Sequence, residues 1–133
     1  LGSKKYKPFI QEILNYTSSH ISEPDLTLKW IVENHLFMNV DYVSRQFVLQ
    51  TGVKFSTYLN DLRIQKAKQL LINCDSEKIY YVAEQVGCGN NPQYFSHLFK
   101  KYTKLTPKEY ALQMKASSHN NEDKTQSVQP PEA

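Results

Sequence analysis

YFSHLFKKYTKLTPKEY at residues 94–110 shares a skeleton with YVSRQFVLQTGVKFSTY at residues 42–58. The common pattern is Y-x-S-x-x-F-x-x-x-T-x-x-x-x-x-x-Y, and the two copies are offset by 52 residues. An apolar pattern upstream of each copy repeats at an offset of 51: Leu28/Ile79, Ile31/Val82 and Val32/Ala83. The chain therefore contains one unit built twice, with one residue inserted in the second copy.

Each copy has the apolar spacing of two amphipathic helices separated by a short turn. The sequence thus predicts helix-turn-helix units at 28–51 and 79–103. Ala83 is the small residue that such a unit needs where its second helix crosses the first. Capping and turn residues stand at the expected helix ends: Thr27, Asn39, Gly52, Gly87 and Pro92.

The segment between the units, residues 54–73, has the longest helical periodicity in the chain. It predicts one linker helix of roughly 28 Å, close to the ~34 Å of one DNA turn. Two recognition helices held at that separation would enter successive major grooves on one face of a duplex. Arg63 on this helix is expected to brace the fold through an ion pair at the edge of the core.

Outside the repeat, an apolar stripe predicts a first helix before Ser22, and Thr106-Pro107-Lys108-Glu109 predicts a capping box opening a short seventh helix. The predicted fold class is all-α: about seven helices, with two helix-turn-helix subdomains joined by a long linker helix within residues 4–116. Side-chain expectations complete this picture: Trp30, Tyr42 and Leu112 face the core, and Asp75 or Ser76 caps the fifth helix.

Composition narrows the class of protein. The length of 133 residues suits one domain, and the opening Leu-Gly-Ser is interpreted as a cloning remnant and excluded from the fold. No apolar run is long enough to cross a membrane, so a cytoplasmic location is expected. Residues 117–133 are polar and predicted to be a disordered tail. Cys74 and Cys88 are predicted to be buried, reduced thiols, and no cofactor or metal site is expected.

Charge is distributed unevenly along the chain. Residues 1–115 hold 15 Lys and Arg against 10 Asp and Glu, whereas residues 116–133 hold one Lys against three acids. A weakly basic folded part is compatible with binding to a phosphate backbone, and equally with an ordinary solvated helical surface.

The exposed face of each second helix carries mainly hydrogen-bonding side chains, which suits base recognition in the major groove. The residues expected to contact bases are Asp41, Ser44 and Arg45 in the first unit and Gln93, Ser96 and His97 in the second. Those expected to contact the DNA backbone are Asn39, Asn91, Lys100 and Lys101. Arg45 is the strongest candidate, because a guanidinium can donate two hydrogen bonds to guanine.

Three groups of residues form a specific pattern: Arg63-Ile64-x-x-Ala67-x-x-Leu70-Leu71, Ile79-x-x-Val82-Ala83-x-x-x-Gly87, and Tyr94-Phe95-Ser96-x-x-Phe99-Lys100-Lys101 with Thr106-Pro107-x-x-Tyr110. Together they resemble the C-terminal DNA-binding domain of the AraC/XylS family of bacterial transcription regulators. The sequence departs from the family pattern at Val32, Cys88, His97, Lys104 and Ala111. Of these, His97 stands where an Arg is common, and Lys104 replaces the glycine that ends the sixth helix.

The resemblance implies two helix-turn-helix units joined by a long helix, and a first recognition helix that dominates base contact. It also implies that the chain is the output domain of a longer response regulator, with a receiver or other regulatory domain preceding it. Double-stranded DNA is the expected partner, with RNA polymerase a further one. The alternative is a helical protein-interaction module that binds an acidic partner. No third group orients Cys88 and His97 for nucleophilic catalysis, so an enzyme is not expected.

Overall fold

Seven α-helices and no strand form the part of the chain that the computed structural model describes, which is residues 5–72, 75 and 78–128, with side chains as far as Ser117. This architecture confirms the all-α prediction. The helices are α1 (Pro8–Ser19), α2 (Leu28–Ile31), α3 (Val40–Thr51), α4 (Phe55–Ile72), α5 (Ile79–Gln85), α6 (Pro92–Thr103) and α7 (Pro107–Val128). A π-helical turn (Val32–Leu36) continues α2 directly.

The linker helix α4 contributes to two separate cores. Phe55 and Leu59 pack in the first core with residues of α1, α2 and α3, whereas Ile64, Ala67 and Leu71 pack in the second core with α5, α6 and α7. At about 100° per residue, Phe55 and Ile64 project from opposite sides of the helix. The twist of α4 therefore determines how the second unit is rotated relative to the first.

Arg63 lies between the two cores and connects them. Its side chain is buried, with 7% of its surface exposed. Its Nε donates to the carbonyl oxygen of Ile21 at 3.2 Å, and Nη2 donates to the carbonyl oxygen of Glu23 at 2.7 Å. The brace predicted for Arg63 is present, but among the described residues its hydrogen-bond partners are main-chain carbonyls of the loop between α1 and α2, not the carboxylate of an ion pair.

Gly87 ends the first helix of the second unit at the point where Arg63 passes. Its φ is +80°, a conformation that glycine adopts without strain. A Cβ at Gly87 would lie 2.6 Å from the carbonyl oxygen of Ile21 and 2.7 Å from Nη2 of Arg63. The glycine is thus required by both its backbone angle and the approach of the guanidinium.

Capping interactions repeat between the units as the sequence repeat predicts. Thr51 Oγ1 donates to Phe47 O at 2.7 Å, and Thr103 Oγ1 donates to Phe99 O at 2.9 Å. The residue after each threonine is left-handed, with φ +85° at Gly52 and +71° at Lys104. The second copy therefore keeps the backbone geometry of the first without its glycine.

The predicted capping box opens α7. Thr106 N donates to Glu109 Oε1 at 2.9 Å, and Glu109 N donates to Thr106 Oγ1 at 3.1 Å. The hydrogen bond from the Thr106 backbone lowers the pKa of Glu109, and the nearby charge of Lys100 lowers it further.

Four expectations about packing and helix ends are wrong. Trp30 is 40% exposed and lies against Tyr16 and His35 instead of entering the core, while Tyr42 and Leu112 are also exposed. A helical repeat identifies a face, but these residues lie at its border, where neighbouring elements decide burial. Helix α5 is preceded by Lys78 at its N-cap position rather than by Asp75. Ser76 and Cys74 lie outside the described residues.

The C-terminal helix is longer than the sequence predicts. Helix α7 continues to Val128 where a disordered tail was predicted from Ser117. Between Pro107 and Pro130 the chain has no glycine or proline, so nothing local interrupts helical hydrogen bonding even though the segment lacks an apolar face. Residues 129–133 lie outside the described part.

Substituting Gly87 tests the packing around Arg63. Gly87→Ala should lower the free energy of unfolding by more than about 3 kcal/mol, because left-handed strain adds to a clash with Arg63 and Ile21. Gly52→Ala is the matched control, since Gly52 has a similar φ but nothing within 4 Å of an added Cβ; it should cost about 1 to 2 kcal/mol. Urea unfolding measures the free energy of unfolding of both variants. Equal losses of stability in the two would refute the close approach of Arg63 and Ile21 to Gly87.

The capping box should make stability depend on pH. Because the pKa of Glu109 is lowered in the folded state, its stabilising contribution is present at neutral pH and is lost as the pH falls through the folded-state pKa. Glu109→Gln keeps a capping side chain without the charge. Its melting temperature should lie below that of the unaltered chain at neutral pH, and the two should converge in acid. Substitution of the exposed Glu12 by Gln serves as the control. If the difference in melting temperature between Glu109→Gln and the unaltered chain did not change with pH, the role of the Glu109 charge in the capping box would be contradicted.

Candidate nucleic-acid interface

Two helices, α3 and α6, present the predicted contact residues, and each begins with the same cap. Asn39 Oδ1 accepts a hydrogen bond from Tyr42 N at 2.8 Å, and Asn91 Oδ1 accepts one from Tyr94 N at 3.0 Å. These bonds satisfy backbone donors at each helix start and hold the first turn in a defined position. In both asparagines the side-chain oxygen accepts the cap hydrogen bond, and the amide nitrogen is the group that can donate to a phosphate.

The outward face of α3 is centred on Arg45. Val43 and Phe47 are fully buried on the opposite side and attach the helix to the first core. Asp41, Ser44 and Arg45 are all exposed, as a shared recognition face requires. Asp41 also lies in the first helical turn, where its negative charge is favourable in the field of the helix.

The outward face of α6 has the same construction. Phe95, Leu98 and Phe99 anchor the inner side in the second core. Gln93 and His97 are exposed and Ser96 is half-buried, and these three line a shallow depression with Pro92. Each face therefore holds together the residues that the sequence assigned to it.

Lys100 and Lys101 are exposed in the last turn of α6. Positive charge at this end of a helix is favourable by itself, and exposed ammonium groups also suit phosphate oxygens. The positive charge of Lys100 also contributes to lowering the pKa of Glu109, in the first turn of α7.

Helix α3 also exposes two apolar side chains that are not among the contact residues predicted from the sequence. Val48 is 40% exposed and Leu49 is 75% exposed. Both line an open groove of about 830 Å³ beside the helix. Its wall on α3 consists of Ser44, Arg45, Val48 and Leu49, and the other side includes Leu28 and Lys54. The helical spacing from Arg45 to Leu49 was the signal that could have identified Leu49.

Burial decides the chemistry of the remaining candidate groups. Cys88 is buried, and that burial raises the pKa of its thiol, while the charge of Arg63 acts in the opposite direction. Burial likewise lowers the pKa of Arg63.

Among the described residues, no group of three His, Cys, Asp or Glu side chains is placed to hold a metal ion. None of the described helices combines the length and apolar character needed to cross a membrane.

The chain is similar to helix-turn-helix domains of transcription regulators. A family model described as "Helix-turn-helix domain" matches residues 33–113. The chain is 42% identical over 102 residues to the uncharacterized transcriptional regulatory protein YesN of Bacillus subtilis, which covers 76% of this chain and 27% of YesN. It therefore spans about a quarter of that relative.

Two solved structures of similar fold are C-terminal domains of response regulators. The C-terminal domain of AraT from Geobacillus stearothermophilus has a TM-score of 0.76 and 30% identity, covering 83% of this chain and 88% of that domain. The C-terminal domain of the two-component response regulator yesN from Fusobacterium nucleatum has a TM-score of 0.70 and 33% identity, covering 79% and 99% respectively.

Proposed function

The chain belongs to the AraC/XylS-type helix-turn-helix family, and we propose that it binds double-stranded DNA of defined sequence through α3 and α6 and thereby regulates bacterial transcription in the cytoplasm. The family and the relatives are transcription regulators, not enzymes. The observation that carries the proposal is the pair of equivalent, capped helices whose outward faces are exposed while their inner faces are buried in separate cores.

Recognition of bases is assigned first to α3. Arg45 is exposed at the centre of its outward face, with Asp41 one turn before it. A guanidinium donates two parallel hydrogen bonds to the O6 and N7 acceptors of guanine, and a carboxylate accepts from the amino group of cytosine. Ser44 lies at the edge of the same face, where a hydroxyl can bond either a base or a phosphate.

The second unit is assigned a mixed role. Gln93 suits adenine, because its amide matches the N6 and N7 edge. His97 offers fewer hydrogen-bond donors to guanine than a guanidinium does. Ser96 lies between them, and Lys100 and Lys101 supply backbone contacts that do not depend on sequence. The amide nitrogens of Asn39 and Asn91 add hydrogen bonds to phosphate at each helix start.

Linker helix α4 sets the spacing between the two recognition helices. Its 18 residues make a rod of about 27 Å, and the Arg63 hydrogen bonds attach the first unit to the turn of the second. A rod of this length is compatible with two helices in successive major grooves, about 34 Å apart. One chain would then contact both half-sites without dimerising.

Arg45→Ala should weaken binding to the selected site by about 1 to 3 kcal/mol and relax preference at one position of one half-site. Selection on random DNA followed by titration of single-base variants measures this. His97→Ala, the equivalent position in α6, is the matched control and should affect the other half-site. If base preference were unchanged in Arg45→Ala, the assignment of base recognition to α3 would be wrong.

Lys100→Ala should weaken all duplex sequences alike, since phosphate contacts carry no base information. The slope of log binding constant against log salt concentration should fall in magnitude by about 0.9 for one lost contact. An altered base preference would contradict the backbone assignment. Salt dependence together with base preference on duplex DNA distinguishes this function from the alternative. A module that binds an acidic protein would show no preference for one base over another.

Half-site spacing tests the rigid connection. Inserting about five base pairs between the half-sites turns them to opposite faces of the duplex, and inserting about ten restores the face but doubles the separation. With a rigid α4, both insertions should reduce affinity to that of a single half-site. Recovery at ten base pairs would mean that the two units move independently. A preceding receiver or other regulatory domain and contact with RNA polymerase stay predictions.

A further inference from the structure

The apolar end of the α3 outward face has no structural role in the first core. Val48 is 40% exposed and Leu49 75% exposed, and they follow Arg45 by three and four residues, so all three share one side of the helix. The first core is completed by other residues of α3, Val43 and Phe47, which are fully buried. The aliphatic pair is therefore presented outward, beside the proposed base-contacting guanidinium.

The sequence repeat shows how unusual this pair is. At the offset of 52, Arg45 corresponds to His97, Val48 to Lys100 and Leu49 to Lys101. The same two positions on equivalent helices thus carry two aliphatic side chains in the first unit and two cations in the second. Both helices have the same asparagine cap and bury the equivalent positions Val43/Phe95 and Phe47/Phe99, so we ascribe the difference to what the outward face touches.

Lysines at these positions suit phosphate oxygens, which aliphatic side chains cannot bind. On the base edges of the major groove, the apolar feature is the C5-methyl group of thymine. We propose that Val48 and Leu49 recognise thymine methyl groups in the half-site bound by α3. This inference rests on the proposed function and adds a base preference that the polar residues of the face do not supply.

The groove along α3 supports contact with a methyl group. Ser44, Arg45, Val48 and Leu49 form one continuous wall, and Leu28 extends the apolar lining on the facing side. Successive residues rise 1.5 Å along a helix and base pairs are stacked every 3.4 Å, so Val48 is about 4.5 Å, or one to two base pairs, from the level of Arg45. The thymines should therefore lie within about two base pairs of the guanine assigned to Arg45.

Replacing thymine by deoxyuridine tests this contact, because it removes the methyl group and leaves base pairing intact. A DNA site is first obtained by selection with the unaltered chain, and each thymine is then replaced singly. Burying one methyl group corresponds to about a fourfold change in affinity. We expect a loss of that size at one or two positions of the α3 half-site. The half-site bound by α6 is an internal control and should show no comparable loss.

Variants then assign the effect to side chains. Val48→Ala, Leu49→Ala and the double variant should bind the thymine and deoxyuridine sites with more nearly equal affinity, with the double variant showing no preference. Both residues are exposed and alanine favours helix, so folding should be preserved and is checked by melting temperature. Lys100→Ala is the matched control and should keep the full thymine preference.

A second variant replaces the two aliphatic side chains by lysine, so its effect does not come from shortening them. Val48→Lys with Leu49→Lys copies the second unit and should abolish the thymine preference, while the salt slope grows by about 0.9 for each new phosphate contact.

Two results would overturn the inference. One is the absence of any deoxyuridine penalty in the α3 half-site, which would leave the aliphatic pair for a protein partner. The other is a thymine preference that survives in the double alanine variant. Failure of the proposed function is distinguishable, because selection would then yield no preferred DNA sequence at all.

Discussion

The buried guanidinium of Arg63 is the contact on which the arrangement of the two units depends. It binds carbonyl oxygens of Ile21 and Glu23, from the loop between α1 and α2, and occupies the space left by the missing side chain of Gly87. Removing a charge from water is costly, and the cost is offset only if its donors are satisfied. Because those acceptors are on the main chain, three distant segments are held in one geometry: the N-terminal loop, the linker helix and the turn of the second unit.

The two units share the backbone interactions at their helix ends and differ in the side chains of their outward faces. The asparagine caps, the threonine bonds at the helix ends and the left-handed residues that follow them are all conserved in geometry between the two copies. These interactions involve backbone groups, so they constrain shape without constraining the outward side chains. The faces could therefore diverge, with arginine and aliphatic residues on α3 and histidine and lysines on α6.

Local interactions were predictable because they depend on residues three or four positions apart. The caps at Thr27 and Asn39 and the capping box at Thr106 and Glu109 follow from side chains that reach their own helix start. Residues at the border of a helical face were not. Trp30 and Leu112 have the spacing of core residues, yet they are 40% and 52% exposed, because a residue at the border of a helical face is buried only where another element packs over it. Leu49 is of a type most often found in the interior, yet it is 75% exposed on the outward side of α3.

By itself the sequence determined the helix boundaries at capped ends, the duplication, the two outward faces and the family, because each of these is encoded in short-range spacing. Only the tertiary structure decided which carbonyls Arg63 binds, why Gly87 must lack a side chain, and how α4 divides its buried surface between two cores. Those features join residues that are far apart in the chain, such as Arg63 and Glu23, which are 40 positions apart. Such pairings leave no periodic trace in the sequence, because they arise from the packing of whole elements.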